Sequence, residues 1–187
     1  MSIDQLKLKS LIKKMAFVRS DLEYHQAEHE RRKEIFFKDV DEHIGNTDYV
    51  FDVDKACKNM VDVYKRTPAV ELSDVQVQTK EIFKKVAKIA HPDVDRSGEH
   101  KNQFIDARTA LDNNDWYTMY KIGTDLGIEI GEASSGHILW LEQEISMTEK
   151  VIKGITTTFE WIYSNHGANK QQLLTTYCIL TCKIKNE

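Results

Sequence analysis

Two prolines interrupt this 187-residue chain, and one of them, Pro92, stands between a histidine and an aspartate at the end of a lysine-bearing helical pattern. Its ring removes a backbone donor and disfavours the helical region for His91 before it. His91 and Asp93 are therefore expected on a turn just beyond a basic helix. Lys80, Lys84 and Lys88 recur at helical spacing, with Lys85 beside them. Between Thr79 and Ala90 four lysines face one glutamate, a local charge of +3 in a chain of net charge −4. A solvated helical face is one meaning of such a stripe, and a docking surface for an acidic partner is the other.

Two further groups carry reactive side chains. His25, Glu28 and His29 fit the spacing H-x-x-E-H, which places two imidazoles on one helical face with a carboxylate nearby, as in zinc hydrolysis. Those histidines share a stripe with Leu22 and Phe36, so their simpler reading is as polar interruptions of an apolar seam. Cys178 and Cys182 are one helical turn apart, a spacing open to a metal or redox pair or to two buried small hydrophobes. With Cys57 they are too few for a disulfide framework or a four-ligand zinc site, and a reducing cytoplasm is the expected setting.

The elements that must position these residues read as helices. From Ser73 or Asp74 to Ala90, the residues Ile82, Phe83, Val86, Ile89 and Ala90 share one face and the lysines another. A polar loop over 94–98 follows, and from Glu99 a second helix carries Phe104, Ala107, Ala110 and Leu111. Upstream, Leu8, Leu11, Met15, Val18 and Leu22 alternate by three and four. This apolar seam continues through His25, His29 and Arg32 to Phe36, so one helix runs to about Ile44 and stops at Gly45 and Asn46. A second seam, Ile138, Leu141, Ile145, Thr148, Ile152, Ile155, Phe159 and Ile162, predicts one helix from Ser134 or Ser135 to Asn165, with His166 and Gly167 ending it.

Neither long helix is stable with its stripe in water. The seams therefore predict an antiparallel coiled coil, the alternatives being separate docking on a central globule or pairing between two copies. Residues 49–66 read as a helix that Thr67 and Pro68 interrupt. Trp116, Met119, Tyr120 and Leu126 form a core face, as do Phe159, Trp161 and Tyr163, with Trp161 off the seam and open to another chain. Leu173, Leu174, Tyr177, Cys178 and Ile184 suggest a terminal amphipathic helix over 168–187, folded back on the bundle or binding a partner.

Composition limits the function classes. Hydrophobic residues make up 41% and charged residues 30%, which excludes global disorder. The acidic balance argues against nucleic acid as a general partner. Nowhere do eighteen apolar residues run together, so no membrane span is expected.

Lys80 to Leu111 resembles the core of a J domain, the signature module of DnaJ-like co-chaperones. That family has an aromatic eight positions before the histidine of its His-Pro-Asp loop, then a basic pair, an aliphatic-alanine pair and a further lysine. Here those are Phe83, Lys84 and Lys85, Val86 and Ala87, and Lys88. Its third helix opens on phenylalanine with alanine six residues later, matching Phe104 and Ala110. The chain departs from the pattern at Ala90, Val94 and Ala107, and no tyrosine-rich first helix precedes the core. The layout is similar to small bacterial and phage proteins that set a reduced J core between coiled-coil helices.

The resemblance implies a non-enzymatic partner of a DnaK-type chaperone that needs no cofactor and stimulates ATP hydrolysis by that chaperone. Asp93 would accept hydrogen bonds from an arginine of the ATPase, Pro92 would fix the turn, and His91 would hold the loop. Lys80, Lys84, Lys85 and Lys88 would meet an acidic patch. A client would bind through the coiled coil or C-terminal helices. The rival from another class is a coiled-coil adaptor, of viral origin or otherwise, whose His-Pro-Asp turn is only a helix stop. The expected architecture is all-α: a coiled-coil helix over 1–45, a J-like module over 46–131 with its core at 74–113, and a coiled-coil helix with a terminal helix over 132–187.

Overall fold

The computed structural model describes residues 3–59, 73–165, 167 and 169–184. It is mostly helical: α1 (Ile3–Gly45), α2 (Val53–Asn59), α3 (Ser73–Ala90), α4 (Lys101–Asp112), α5 (Trp116–Asp125), α6 (Ser135–Thr156), α7 (Phe159–Asn165) and α8 (Lys170–Thr181). Two three-residue strands, β1 (Tyr49–Phe51) and β2 (Cys182–Ile184), pair antiparallel with Tyr49 opposite Ile184 and Phe51 opposite Cys182. The expected interruption at Thr67 and Pro68, the later part of the helix read over 49–66 and the stop at His166 lie outside the described residues. No described helix is long and apolar enough to cross a membrane.

The chain forms two compact units, Met1–Ala16 with Pro68–Ile145 and Phe17–Thr67 with Ser146–Glu187. In the first, α3, α4 and α5 share a core of Ile82, Val86, Ala90, Ala107, Ala110, Met119 and Ile122. Ala107 and Ala110 present no bulk beyond Cβ, so α4 can lie close against its neighbours. Asp115 caps α5 by accepting the Thr118 N–H at 3.1 Å. The approach of Asp74 to the start of α6 requires a glycine at 136, since a Cβ there would fall 2.4 Å from the carboxylate.

In the second unit, Phe36 and Val40 of α1 pack with Tyr163 of α7 and with Leu174 and Tyr177 of α8. Phe36 meets Tyr163 and Tyr177 edge-on, with ring centroids 5.2 and 4.9 Å apart. The Tyr163 hydroxyl donates to Asp39 at 2.6 Å, and burial together with that bond pushes its pKa up to about 12.

Three sequence expectations are corrected. Residues 49–51 form a strand, and the helix begins at Val53, where Asp52 accepts the Lys55 N–H at 3.1 Å. The seam from Ile138 to Ile162 is two helices. The hydroxyls of Thr157 and Thr158 donate back to the carbonyls of Gly154 and Ile155, diverting the backbone before α7 starts at Phe159. The terminal helix stops at Thr181, and Cys182 turns extended to enter β2. Both Cys178 and Cys182 are buried free thiols, and burial pushes the Cys178 thiol up to about 12.

Candidate functional site

Helix α3 ends one residue before His91, whose N–H still reaches the Ala87 carbonyl at 3.2 Å. The chain then folds back tightly: the His91 carbonyl accepts both the Val94 and the Asp95 N–H, each at 2.8 Å. Pro92 has no N–H to leave unpaired at the first position of that turn. The His91 ring stands edge-on to Phe104 of α4, centroids 5.0 Å apart, and its Nδ1 accepts the Asp93 N–H at 3.2 Å. In the neutral ring this leaves the proton on Nε2. The imidazole thus spans the turn and the following helix, while Asp93, its carboxylate 3.5 Å from Nδ1, points to water with its side chain 89% exposed.

A second carboxylate holds the rest of the loop. Asp95 Oδ2 accepts the His100 N–H at 2.7 Å, and the Ser97 hydroxyl donates to its other oxygen. Those donors, Ser97 first, hold the Asp95 carboxyl below its ordinary range. Gly98 takes a positive φ of 73° between them, a conformation glycine adopts without penalty. The polar loop read in the sequence is therefore a clamped one. Composition showed Asp95, Ser97 and Gly98 as turn residues without showing which backbone donors they would collect.

Lys80, Lys84, Lys85 and Lys88 are all exposed on α3. The structure divides them. Lys85 Nζ donates to the Glu129 carbonyl at 2.7 Å and so ties α3 to the segment after α5. Lys80, Lys84 and Lys88 lie along one stripe, and no ion pair among the described residues occupies them. That stripe climbs α3 toward the His91 turn.

The other reactive groups are engaged structurally. Glu28 accepts from Arg31 and Arg32 at 2.7–2.9 Å, which lowers its pKa to about 2. His25 Nδ1 bonds the Asp21 carbonyl, and the ring stacks on Trp161 at 5.1 Å, where the Arg32 guanidinium also sits, 4.0 Å from the ring centroid. His29 is buried, its Nε2 lying 3.2 Å from the Thr158 hydroxyl and 3.6 Å from Glu160. The H-x-x-E-H residues thus address three different sets of neighbours. Among the described residues, no group of three His, Cys, Asp or Glu is placed to hold a metal. Trp161 is half-buried, in contact with the His25 ring and the Arg32 guanidinium.

Sequence reasoning missed Asp74, Ser134 and His137, which meet across sixty residues. The Ser134 hydroxyl donates to Asp74 and lies 2.9 Å from His137 Nδ1, which also accepts the Ser134 N–H at 3.0 Å. The three fasten the start of α6, with burial lowering the His137 pKa. Set against protein-family models, curated proteins and solved structures, the chain matches none of them.

Proposed function

We propose that the chain is a J-type co-chaperone that docks on a DnaK-type ATPase through the His91-Pro92-Asp93 turn and stimulates its ATP hydrolysis. The observation that carries this reading is the exposure of the Asp93 carboxylate, beside His91, at the head of a lysine stripe that no ion pair among the described residues occupies, on a turn held by His91 against Phe104. A turn serving only to stop a helix needs Pro92, yet it needs neither an exposed carboxylate nor a histidine spent on its support. Asp93 can accept two parallel hydrogen bonds from an arginine, a directional contact that an amide cannot reproduce. Lys80, Lys84 and Lys88 supply long-range attraction, and Lys85 contributes less because its ammonium is already engaged.

The antiparallel coiled coil of the long helices belongs to the same proposal. It is supported by the burial of Met15 and Val18 on α1 and of Leu141, Ile145 and Ile155 on α6. No step of this function makes or breaks a bond on this chain, and cytoplasmic action with a client on the helices outside the J-like core follows from the same reading. The test is single-turnover ATP hydrolysis by a DnaK-type chaperone with the wild type, His91→Gln and Asp93→Asn. Stimulation by the wild type alone is expected. Equal rates with and without the wild type would leave the adaptor reading in its place.

A further inference from the structure

Helix α6 opens on a reciprocal pair of hydrogen bonds in which a titratable ring takes one part. Ser134 stands just before the helix, and its hydroxyl oxygen accepts the Gly136 N–H at 3.1 Å. Three residues on, His137 Nδ1 accepts the Ser134 N–H at 3.0 Å. The usual residue at that position is glutamate or glutamine, whose oxygen stays an acceptor in mild acid. An imidazole accepts only while it is neutral.

The surroundings of the ring leave a second proton nowhere to be satisfied. His137 is 2% exposed and lies against Trp116 of α5, ring centroids 4.7 Å apart. Its Nε2 has no hydrogen-bond partner among the described residues. With Nδ1 accepting, Nε2 carries the proton of the neutral ring, so protonation must occur at Nδ1. There the new N–H would meet the Ser134 N–H, donor against donor. Turned instead toward the Ser134 oxygen, 2.9 Å away, it would compete with the Gly136 N–H. Either way the Ser134 N–H loses its acceptor.

Asp74 of α3 is the one charged group that acts on the ring among the described residues, and α5 presents the uncharged Trp116 indole. Burial disfavours the imidazolium more than the Asp74 carboxylate favours it, which lowers the His137 pKa. The Ser134 hydroxyl holds the Asp74 carboxyl below its ordinary range, so Asp74 stays ionised while the ring titrates. Elsewhere the segment before α6 is fastened to α3 by groups that do not titrate near neutrality: Gln78 donates to the Gly131 and Glu132 carbonyls, and Lys85 to that of Glu129. We infer that Ser134 and His137 form an acid-opened latch, in which the neutral imidazole holds the start of α6 against α3 and its protonation releases residues 133–137 while Gln78 and Lys85 keep the preceding segment in place. The device is independent of any chaperone partner. Its contribution is fully present above the ordinary imidazole range and is lost as pH falls through the lower, folded value.

Nuclear magnetic resonance of the whole chain, followed from neutral pH down to the ordinary carboxylate range, tests the latch. The His137 ring should titrate below the ordinary imidazole value, and protection of the Ser134 amide should fall at least about tenfold with the same midpoint. The Val86 amide, in the α3 core, should stay protected throughout and so show that the fold is intact. His137→Asn offers an oxygen acceptor that does not titrate and should keep Ser134 protected across the range, whereas His137→Ala should lack that protection at every pH. A Ser134 amide that stays protected while the ring titrates overturns the inference. So do ring and amide midpoints that differ, a ring that never titrates in the folded chain, or an acid loss that persists in His137→Asn, which would put the proton on Asp74.

Discussion

Two histidines in this chain each stand beside a carboxylate, His91 3.5 Å from Asp93 and His29 3.6 Å from Glu160. The distances are nearly the same and the surroundings are opposite. His29 and Glu160 have side chains 4% and 11% exposed, whereas His91 and Asp93 are 42% and 89% exposed. Buried, the polar pair is part of the packing, and Thr158 completes its bonds. Exposed, the pair contributes little to stability, and what it offers is a carboxylate held at a fixed place on the surface. The sequence singled out both histidines, and depth in the fold separates their surroundings.

The contrast can be broken most strongly at its buried end. His29→Ala should lower unfolding free energy by about 3 kcal/mol, since it opens a cavity and removes the partner of Glu160. Urea denaturation measures this, and a loss under about 1 kcal/mol would show that the site is not tightly packed. At the exposed end, Asp93→Asn should leave stability within about 0.5 kcal/mol while lowering the proposed ATPase stimulation at least about tenfold. A large stability loss there would erase the distinction.

Smaller effects sharpen the recognition side. Replacing Lys80, Lys84 and Lys88 together by alanine should slow association with the proposed DnaK-type partner about tenfold at low salt, with little difference at high salt. Lys85→Ala should slow it less and should speed amide exchange in residues 128–132, because its ammonium holds the Glu129 carbonyl. Finally, the lowered Asp95 pKa sets a pH dependence. The clamp is fully present above the ordinary aspartate range and is lost as pH falls through that range toward the folded value. Protection of the His100 amide should therefore fall on acidification, and Asp95→Asn should show the weaker protection already at neutral pH.

Much of α3 could be read from the sequence because its information is local: Ile82, Val86 and Ala90 repeat on one face and Pro92 ends the helix at the next turn. The stop of α1 at Gly45 was legible for the same reason, with the Asn46 side chain bonding the Glu42 carbonyl. What escaped depends on partners far along the chain. Residues 49–51 have the β-branched and aromatic composition of a strand, but three residues make no strand without β2, which lies more than 130 positions away. The break between α6 and α7 hid because Phe159 and Ile162 keep the heptad spacing across it, while the hydroxyls of Thr157 and Thr158 choose the backbone instead. At the candidate site the turn itself was legible. The contact of His91 with Phe104 and the collection of the His100 N–H by Asp95 needed the return of α4.

The pairing of Tyr49–Phe51 with Cys182–Ile184 orders events during synthesis. Translation runs from the N-terminus, so every residue of the first unit, through Ile145, has been made before β2 exists. The core under the lysine stripe and the His91 turn can close while the ribosome is still adding α7 and α8. In the second unit, residues 49–51 have no pairing partner until residue 184 emerges, so β1 forms only after the first unit's residues have all been made.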